Sequence, residues 1–439
     1  MFSIGWLVLG LIPIAALFSA LALAVAAFAR STKEGQYYLL PLLLFTMPLI
    51  ALPMLPTARL DLGTSIIPVS GMMLWLRMLI EGQYADALRY SIPVLTMTAA
   101  CCWLSIRWAV RQFEKESVLF RESERLDVGL WLRRLVRERE DTPSVAEGFL
   151  AALILLVITF FSRLAISRQP VAELTWAYFV KTTLVIQIAM IATPVLIMTI
   201  ILTKSPRRTL LLNMPRPLAL AAAPLLAFCL HPLAMEVSQF IFETYPPGEK
   251  LLESMKPMSE LITQTPLYYV LLLMALTPAI CEELAFRGFV LSGLRGLGGK
   301  WTAILLSSVF FGVIHGMLQQ SLAAALVGVV IGYVAVQTGS LLPGVLFHLT
   351  YNSLSMTMAR ITSETVESYP LLGWLFRPAV SETLGSGYAY HWQYLIAATL
   401  ASAALLWWFR GLDGDRLSGD EEKNGAADYP IAGRELPTT

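Results

Sequence analysis

Apolar residues occupy long blocks of this chain, separated by short polar stretches. A helix needs roughly 20 apolar residues to cross a hydrocarbon layer of about 30 Å, and somewhat fewer inside a bundle. On that measure the pattern predicts an all-α, polytopic transmembrane helical bundle with about 11 spans. They run from Ile4 to Phe28, Leu39 to Leu55, Tyr90 to Val110, Ala146 to Ser167, Trp176 to Thr203, Leu218 to Glu236, Tyr268 to Phe286, Thr302 to Met317, Leu322 to Gln337, Leu341 to Met356 and Tyr394 to Phe409. The stretch Ile66 to Ile80 is apolar but broken by Pro68, Ser70 and Arg77, and reads as re-entrant or interfacial.

Lys and Arg accumulate on the cytoplasmic side of short loops. Here they fall on alternate loops: Arg30 and Lys33, Arg107 to Arg139, Lys204 with Arg207, Arg208 and Arg216, and Arg287, Arg295 and Lys300. This arrangement predicts an external N-terminus and a cytoplasmic C-terminus. The first span follows Met1 almost directly and lacks the basic flank of a cleaved signal peptide. An external start of that kind suggests that an ancestral upstream portion is missing.

The organisation expected is a membrane block at 1–110, a charged cytoplasmic linker at 111–141, a second membrane block at 142–410 and a disordered polar tail at 411–439. The linker includes an amphipathic run, Leu130 to Val136, suited to lying on headgroups.

Composition agrees with a membrane protein: 56% of the 439 residues are apolar and 14% are charged. A net charge of +1 gives no support to nucleic-acid binding. Cys101, Cys102, Cys229 and Cys281 lie in or beside apolar segments without ligand spacing, and read as buried reduced thiols.

Ionisable groups inside membrane helices are costly, so they mark function. Three polar groups interrupt the C-terminal block: Glu282-Glu283-Leu284-Ala285-Phe286-Arg287, Phe311-Gly312-Val313-Ile314-His315 and His348-Leu349-Thr350-Tyr351-Asn352. Glu283 and Arg287 are one helical turn apart and can pair, which leaves Glu282 for general-base chemistry. His348 and Asn352 share a face, as do Phe311 and His315. Imidazole and carboxamide can donate to a developing oxyanion, while a carboxylate and a second imidazole can hold and deprotonate water. This set suits hydrolysis of a peptide bond. The competing reading is a charge cluster at the cytoplasmic edge, since Arg295 lies nearby.

Glu282, His315 and His348 would also supply two nitrogens and one oxygen to a divalent metal such as zinc. The sequence leaves both chemistries open. The absence of a His-Glu-x-x-His helix, and Asn352 being a poor zinc ligand, tilt the reading towards metal-free carboxylate catalysis.

The three motifs, in this order on successive helices, resemble the type II CAAX prenyl protease and bacteriocin-processing (Abi-type) intramembrane protease family, over about Pro266 to Met356. The resemblance implies an all-helical endopeptidase acting on a membrane-associated peptide or protein. The position of Glu282 would activate water with help from His315, and His348 and Asn352 would form the oxyanion site. Glu283 and Arg287 would support them. Family members have been described both as metalloproteases and as glutamate proteases.

In the N-terminal block, Ala29 to Gln36, Ile67-Pro68-Val69 and Phe113-x-x-Glu116-x-x-x-Phe120 resemble the closing part of sodium-extrusion-type ABC exporter permeases. This implies an ATP-hydrolysing exporter subunit as a partner, since no Walker motif is present in the chain. Besides the protease, two other functions fit: an exporter subunit, and a non-catalytic scaffold or immunity protein. The location expected is a bacterial-type cytoplasmic membrane.

Four further features read as structural. His231 precedes Pro232 and is expected to bond a carbonyl freed by that proline, with Glu236 at the helix end. Gly328 and Gly332 allow close helix packing. His391, with Tyr388, Tyr390, Trp392 and Tyr394, reads as an interfacial aromatic belt. Ser307 and Ser308 lack a nucleophile elbow and read as helix-packing groups.

Overall fold

The computed structural model describes residues 2–26, 39, 42–43, 46–54, 58–114, 139–166, 175–247, 249–369, 371–381 and 385–412. The 111–141 linker lies largely outside these residues, as does almost all of the 411–439 tail. The described chain is an all-α membrane bundle with one small hairpin. Its main helices are α1 (Phe2–Ala26), α2 (Ser70–Ile80), α3 (Tyr84–Phe113), α4 (Val145–Ile166), α5 (Trp176–Leu202), α6 (Pro217–Thr244), α7 (Glu249–Gln264), α8 (Leu267–Leu297), α9 (Lys300–Val313), α10 (Leu318–Thr338), α11 (Leu342–Met358) and α12 (Trp392–Arg410).

Seven helices among the described residues are long and apolar enough to cross a membrane: α3, α4, α5, α6, α8, α10 and α12. The expected count of about 11 spans is therefore not reached. Within α1 the apolar stretch is Gly10–Ala26, and α9 and α11 have 14 and 17 residues. The expected span from Leu39 to Leu55 falls largely outside the described residues. α9 is short for a local reason. Gly316, at φ +69, ends it with a left-handed turn that leaves His315 at the helix terminus.

Two apolar cores form the C-terminal block. One joins Leu155 of α4, Val195 of α5, Phe286, Phe289 and Leu294 of α8, and Ile304 and Phe311 of α9. The other joins Leu226 of α6, Ile331 and Val334 of α10, Phe347 of α11 and Phe409 of α12. A separate cluster, with Met72, Leu74, Trp75 and Val94, packs α2 and α3. Between α4 and α8 the backbones meet at Gly148 and Gly293, where a Cβ on Gly293 would stand 2.8 Å from the Cα of Gly148. At one end of the bundle Gln337 of α10 accepts from Lys300 Nζ at 3.2 Å and donates to the carbonyls of Phe409 and Arg410 at 3.2 Å each. At the other, Arg360 caps α7 by donating to the carbonyls of Ile262 and Thr265.

Two helices carry the same irregularity. In α5 the π-helical stretch Val185–Ala192 runs into Thr193-Pro194, and in α8 the π-helical stretch Leu272–Leu276 runs into Thr277-Pro278. Proline has no N–H and crowds the carbonyl four residues earlier, so the preceding turn widens. The threonine hydroxyls complete each wide turn by donating five residues back, Thr193 to Ile188 at 2.8 Å and Thr277 to Leu272 at 2.9 Å.

The aromatic-belt expectation is corrected. Phe376–Ser381 (β1) and Gly385–Tyr390 (β2) form an antiparallel hairpin, and Tyr390 is buried in a core with Met358 and Phe376. Burial also raises the Tyr390 phenol above its ordinary pKa. His231 is likewise corrected. Its Nδ1 lies 3.0 Å from Tyr390 Oη and its Nε2 3.1 Å from Ser355 Oγ, so it bonds two hydroxyls rather than a carbonyl. The four cysteines are free, but only Cys281 is buried and the others are half-buried.

Candidate active site

α8, α9 and α11 bring the three sequence motifs together. Glu282 stands midway between Leu267 and Leu297, about 22 Å from either end at 1.5 Å per residue. Glu283 and Arg287 are fully buried, and Glu282 and His348 nearly so. A charge cluster at the membrane edge would be exposed, so that reading is set aside.

Glu283 is the hub. Its Oε1 accepts from Arg287 Nη1 at 3.0 Å and from His348 Nδ1 at 2.8 Å. The i,i+4 pair expected between Glu283 and Arg287 is thus formed. Arg287 also donates through Nη2 to the Gly328 carbonyl at 3.0 Å, and its guanidinium lies 4.2 Å from the centre of the Phe311 ring. Gly328 makes room for both groups, since a Cβ there would lie 3.1 Å from Arg287 Nη2 and 3.1 Å from Phe311 Cδ1. Gly332 lies close against Ile304, so both glycines act as packing positions.

Glu282 faces the other way. Its Oε1 accepts from Gln187 Nε2 of α5 at 2.8 Å. Its Oε2 lies 4.0 Å from His348 Nε2, beyond direct hydrogen-bond range. His348 therefore lies between the two carboxylates. Because Nδ1 bonds the Glu283 carboxylate, that nitrogen carries a proton, and Nε2 is turned towards Glu282.

Phe311 touches the other site rings, edge-on to His315 at 5.0 Å, to His348 at 5.9 Å and to Phe286 at 5.4 Å between centroids. His315 Nδ1 donates to the Phe311 carbonyl at 2.8 Å, which leaves its Nε2 as an acceptor. Asn352 is half-buried and donates through Nδ2 to the Met274 carbonyl at 3.4 Å. That carbonyl is the one Pro278 deprives of its helical partner, four residues along. Asn352 and His348 are thus on one helix, but they are held by different partners.

Two site residues escaped the sequence reading. Gln187 holds Glu282, and Arg163 of α4 acts electrostatically on both Glu282 and His315. Both sit inside apolar runs counted as spans, and the cost of a polar group there was the available signal. Ser307 and Ser308 are buried and bond the Ile304 carbonyl at 3.1 and 2.7 Å, as packing groups do.

Among the described residues no three His, Cys, Asp or Glu side chains converge as a metal-ligand set. Glu282, His315 and His348 are near one another, but their donor atoms do not fit a metal in this arrangement.

A buried carboxylate pair with two imidazoles, deep in a membrane helical bundle, is consistent with the catalytic site of a membrane-embedded hydrolase. Residues 264–354 match the family Type II CAAX prenyl endopeptidase Rce1-like, and this part of the chain belongs to that family. The protein is accordingly a peptide hydrolase of the integral membrane class, acting on protein or peptide substrates. No curated protein and no solved structure is matched. The exporter-permease resemblance of residues 1–110 gains no support from these comparisons.

Proposed function

We propose that the protein is an intramembrane endopeptidase in which Glu282 activates the attacking water. The observation that carries this reading is the division of labour between the two glutamates. Glu283 Oε1 takes both Arg287 and His348, with Oε2 buried and unpartnered among the described residues, whereas Glu282 keeps Oε2 directed at His348 Nε2 across 4.0 Å. A water oxygen fits at that spacing, donating to the carboxylate and accepting from Nε2–H of a doubly protonated His348, which keeps both protons throughout the reaction.

In the reaction, water attacks the peptide carbonyl carbon and its proton passes to Glu282. The tetrahedral oxyanion is met by His348 in its imidazolium form and by the second N–H of the Asn352 carboxamide. Glu283 stabilises that imidazolium, as a carboxylate behind a histidine does in other hydrolases. The proton on Glu282 then goes to the amide nitrogen, the C–N bond breaks, and a carboxylate and an amine leave. His315, with Nε2 as acceptor, helps to orient the water. The step needs no metal. The substrate is a membrane-associated peptide or protein segment, and the basic loops favour a cytoplasmic C-terminus.

The test compares new protein termini in cells making wild type or Glu282→Gln at matched levels. Specific termini that disappear with the carboxylate support the assignment. Identical terminus profiles alongside a phenotype of gene deletion would remove proteolysis as the function.

A further inference from the structure

One end of the bundle holds a cleft of about 670 Å³, lined by Arg216 and Leu218 at the start of α6 and by Trp407, Trp408, Arg410 and Leu412 at the end of α12. Both helices are long and apolar enough to cross a membrane, so the cleft stands where the apolar spans stop. Trp407 is 74% exposed, while Trp408 is half-buried against Phe409 at 5.1 Å between ring centroids. Exposed tryptophan at the end of a span is typical of the membrane–water boundary.

The charge in the cleft is unbalanced. Arg216 and Arg410 are exposed, no acidic side chain lines the cleft, and neither guanidinium has a hydrogen bond or ion pair among the described residues. Arg208, on the loop before α6, is by contrast paired with Asp141 at 2.8 Å. The helix ends add to the same sign. No side chain caps the start of α6 by a hydrogen bond, so the positive end of its dipole is left uncompensated beside Arg216. The end of α12 would repel an anion through its free carbonyls, but Gln337 Nε2 donates to those of Phe409 and Arg410 at 3.2 Å each. Two guanidiniums and a positive helix end thus meet at one cleft with apolar walls. These residues lie outside 264–354, and the catalytic groups make no use of them.

We propose that this cleft binds an anionic phospholipid, with the headgroup phosphate held by Arg216 and Arg410 and an acyl chain lying along Leu218 and Trp407. The guanidinium fork matches two phosphate oxygens with parallel hydrogen bonds. A basic pocket between spans at the membrane boundary suits a lipid better than a free phosphate, because a lipid also covers the apolar wall. A zwitterionic lipid brings its own cation to the phosphate and gains less from two arginines. The site does not depend on the catalytic reading.

The full-length protein, purified in detergent, is mixed with phosphatidylglycerol or phosphatidylcholine, and bound lipid is counted by native mass spectrometry. Wild type is expected to hold one phosphatidylglycerol about ten- to thirtyfold more tightly than phosphatidylcholine. Arg216→Gln with Arg410→Gln removes that preference, and Arg216→Lys with Arg410→Lys keeps part of it. Lys204→Gln with Arg207→Gln takes the same charge from the neighbouring loop and leaves the preference intact. All four side chains are exposed, so the unfolding temperatures should match that of wild type. Equal affinities of wild type for the two lipids overturn the proposal. So do equal losses in the two glutamine pairs, which would reduce the effect to general surface charge. Displacement of the lipid by equimolar glycerol phosphate would make the ligand a soluble phosphate and overturns it too. Asp413 and Asp415 follow the cleft in the sequence. If phosphatidylglycerol binds only once both are changed to asparagine, the chain's own acidic segment is the occupant, and the lipid assignment falls.

Discussion

His348 Nδ1 bonds Glu283, not Glu282, at 2.8 Å, and the same Glu283 oxygen takes the Arg287 guanidinium. One glutamate thereby builds the site while its neighbour works in it.

The two carboxylates should separate in a stability assay. Glu283→Gln leaves Arg287 buried without its counter-charge and is expected to cost about 3–5 kcal/mol. Glu282→Gln keeps a hydrogen-bonding side chain opposite Gln187 and should cost under about 1 kcal/mol, yet lower the cleavage rate by about 10²- to 10⁴-fold. Thermal unfolding in detergent, read beside peptide cleavage, checks both; comparable destabilisation would contradict the division.

Gly328→Ala puts a methyl 3.1 Å from both Arg287 Nη2 and Phe311 Cδ1. Neither neighbour can retreat far, since one is ion-paired and the other packs against Phe286 and both histidines. A loss of about 1–3 kcal/mol is expected, with reduced activity in the molecules that remain folded. An unfolding temperature equal to that of wild type would show the packing to be looser than the distances require.

Pro278→Ala supplies an N–H whose helical acceptor is the Met274 carbonyl, in competition with Asn352. Losing about 1 kcal/mol of positioning for Asn352 slows cleavage by about fivefold, while stability holds or rises. Steady-state kinetics of the purified variant measure this, and an unchanged kcat would separate Asn352 from the chemistry.

His231→Phe removes the bonds to Tyr390 Oη and Ser355 Oγ. The hydroxyls it leaves are buried or half-buried, and the expected cost is about 1–3 kcal/mol. Hydrogen exchange should quicken at Gly385–Tyr390 before it does at α8, because the histidine ties the hairpin to α11.

Chelators should leave the activity intact, because the site donors of Glu282, His315 and His348 do not converge as ligands. Loss of cleavage on chelation, restored by zinc, would overturn the metal-free mechanism.

Much of the site was legible because charge in an apolar helix stands out and because i,i+4 spacing fixes a shared face. That logic found Glu282, Glu283, Arg287, Phe311, His315, His348 and Asn352. It did not find their pairing. His348 and Asn352 share a helical face, but Glu283 claims one and the Met274 carbonyl the other, and spacing within a helix does not show which neighbouring helix will compete. Gln187 and Arg163 were hidden because runs were scored for apolar content, which a single polar residue barely changes. The hairpin was hidden as well, since Pro378 and the glycines at 385 and 387 weaken a strand pattern. Among the described residues seven of the expected spans have the length of a crossing helix, because run length does not reveal where a helix stops, and in α9 one left-handed glycine decides that.

The wide turns before Thr193-Pro194 and Thr277-Pro278 affect how the chain tolerates changes of length. A π-helical turn closes its hydrogen bond over one residue more than an α-turn does. Removing one residue from Leu272–Leu276 or Val185–Ala192 can therefore tighten the turn to ordinary α-helix and leave both flanks in phase. The same deletion in a regular part of α10 would turn everything beyond it by about 100°. The segment that carries Gln187 and the one that leads to Glu282 are thus places where a residue can be gained or lost while the helix beyond keeps its direction.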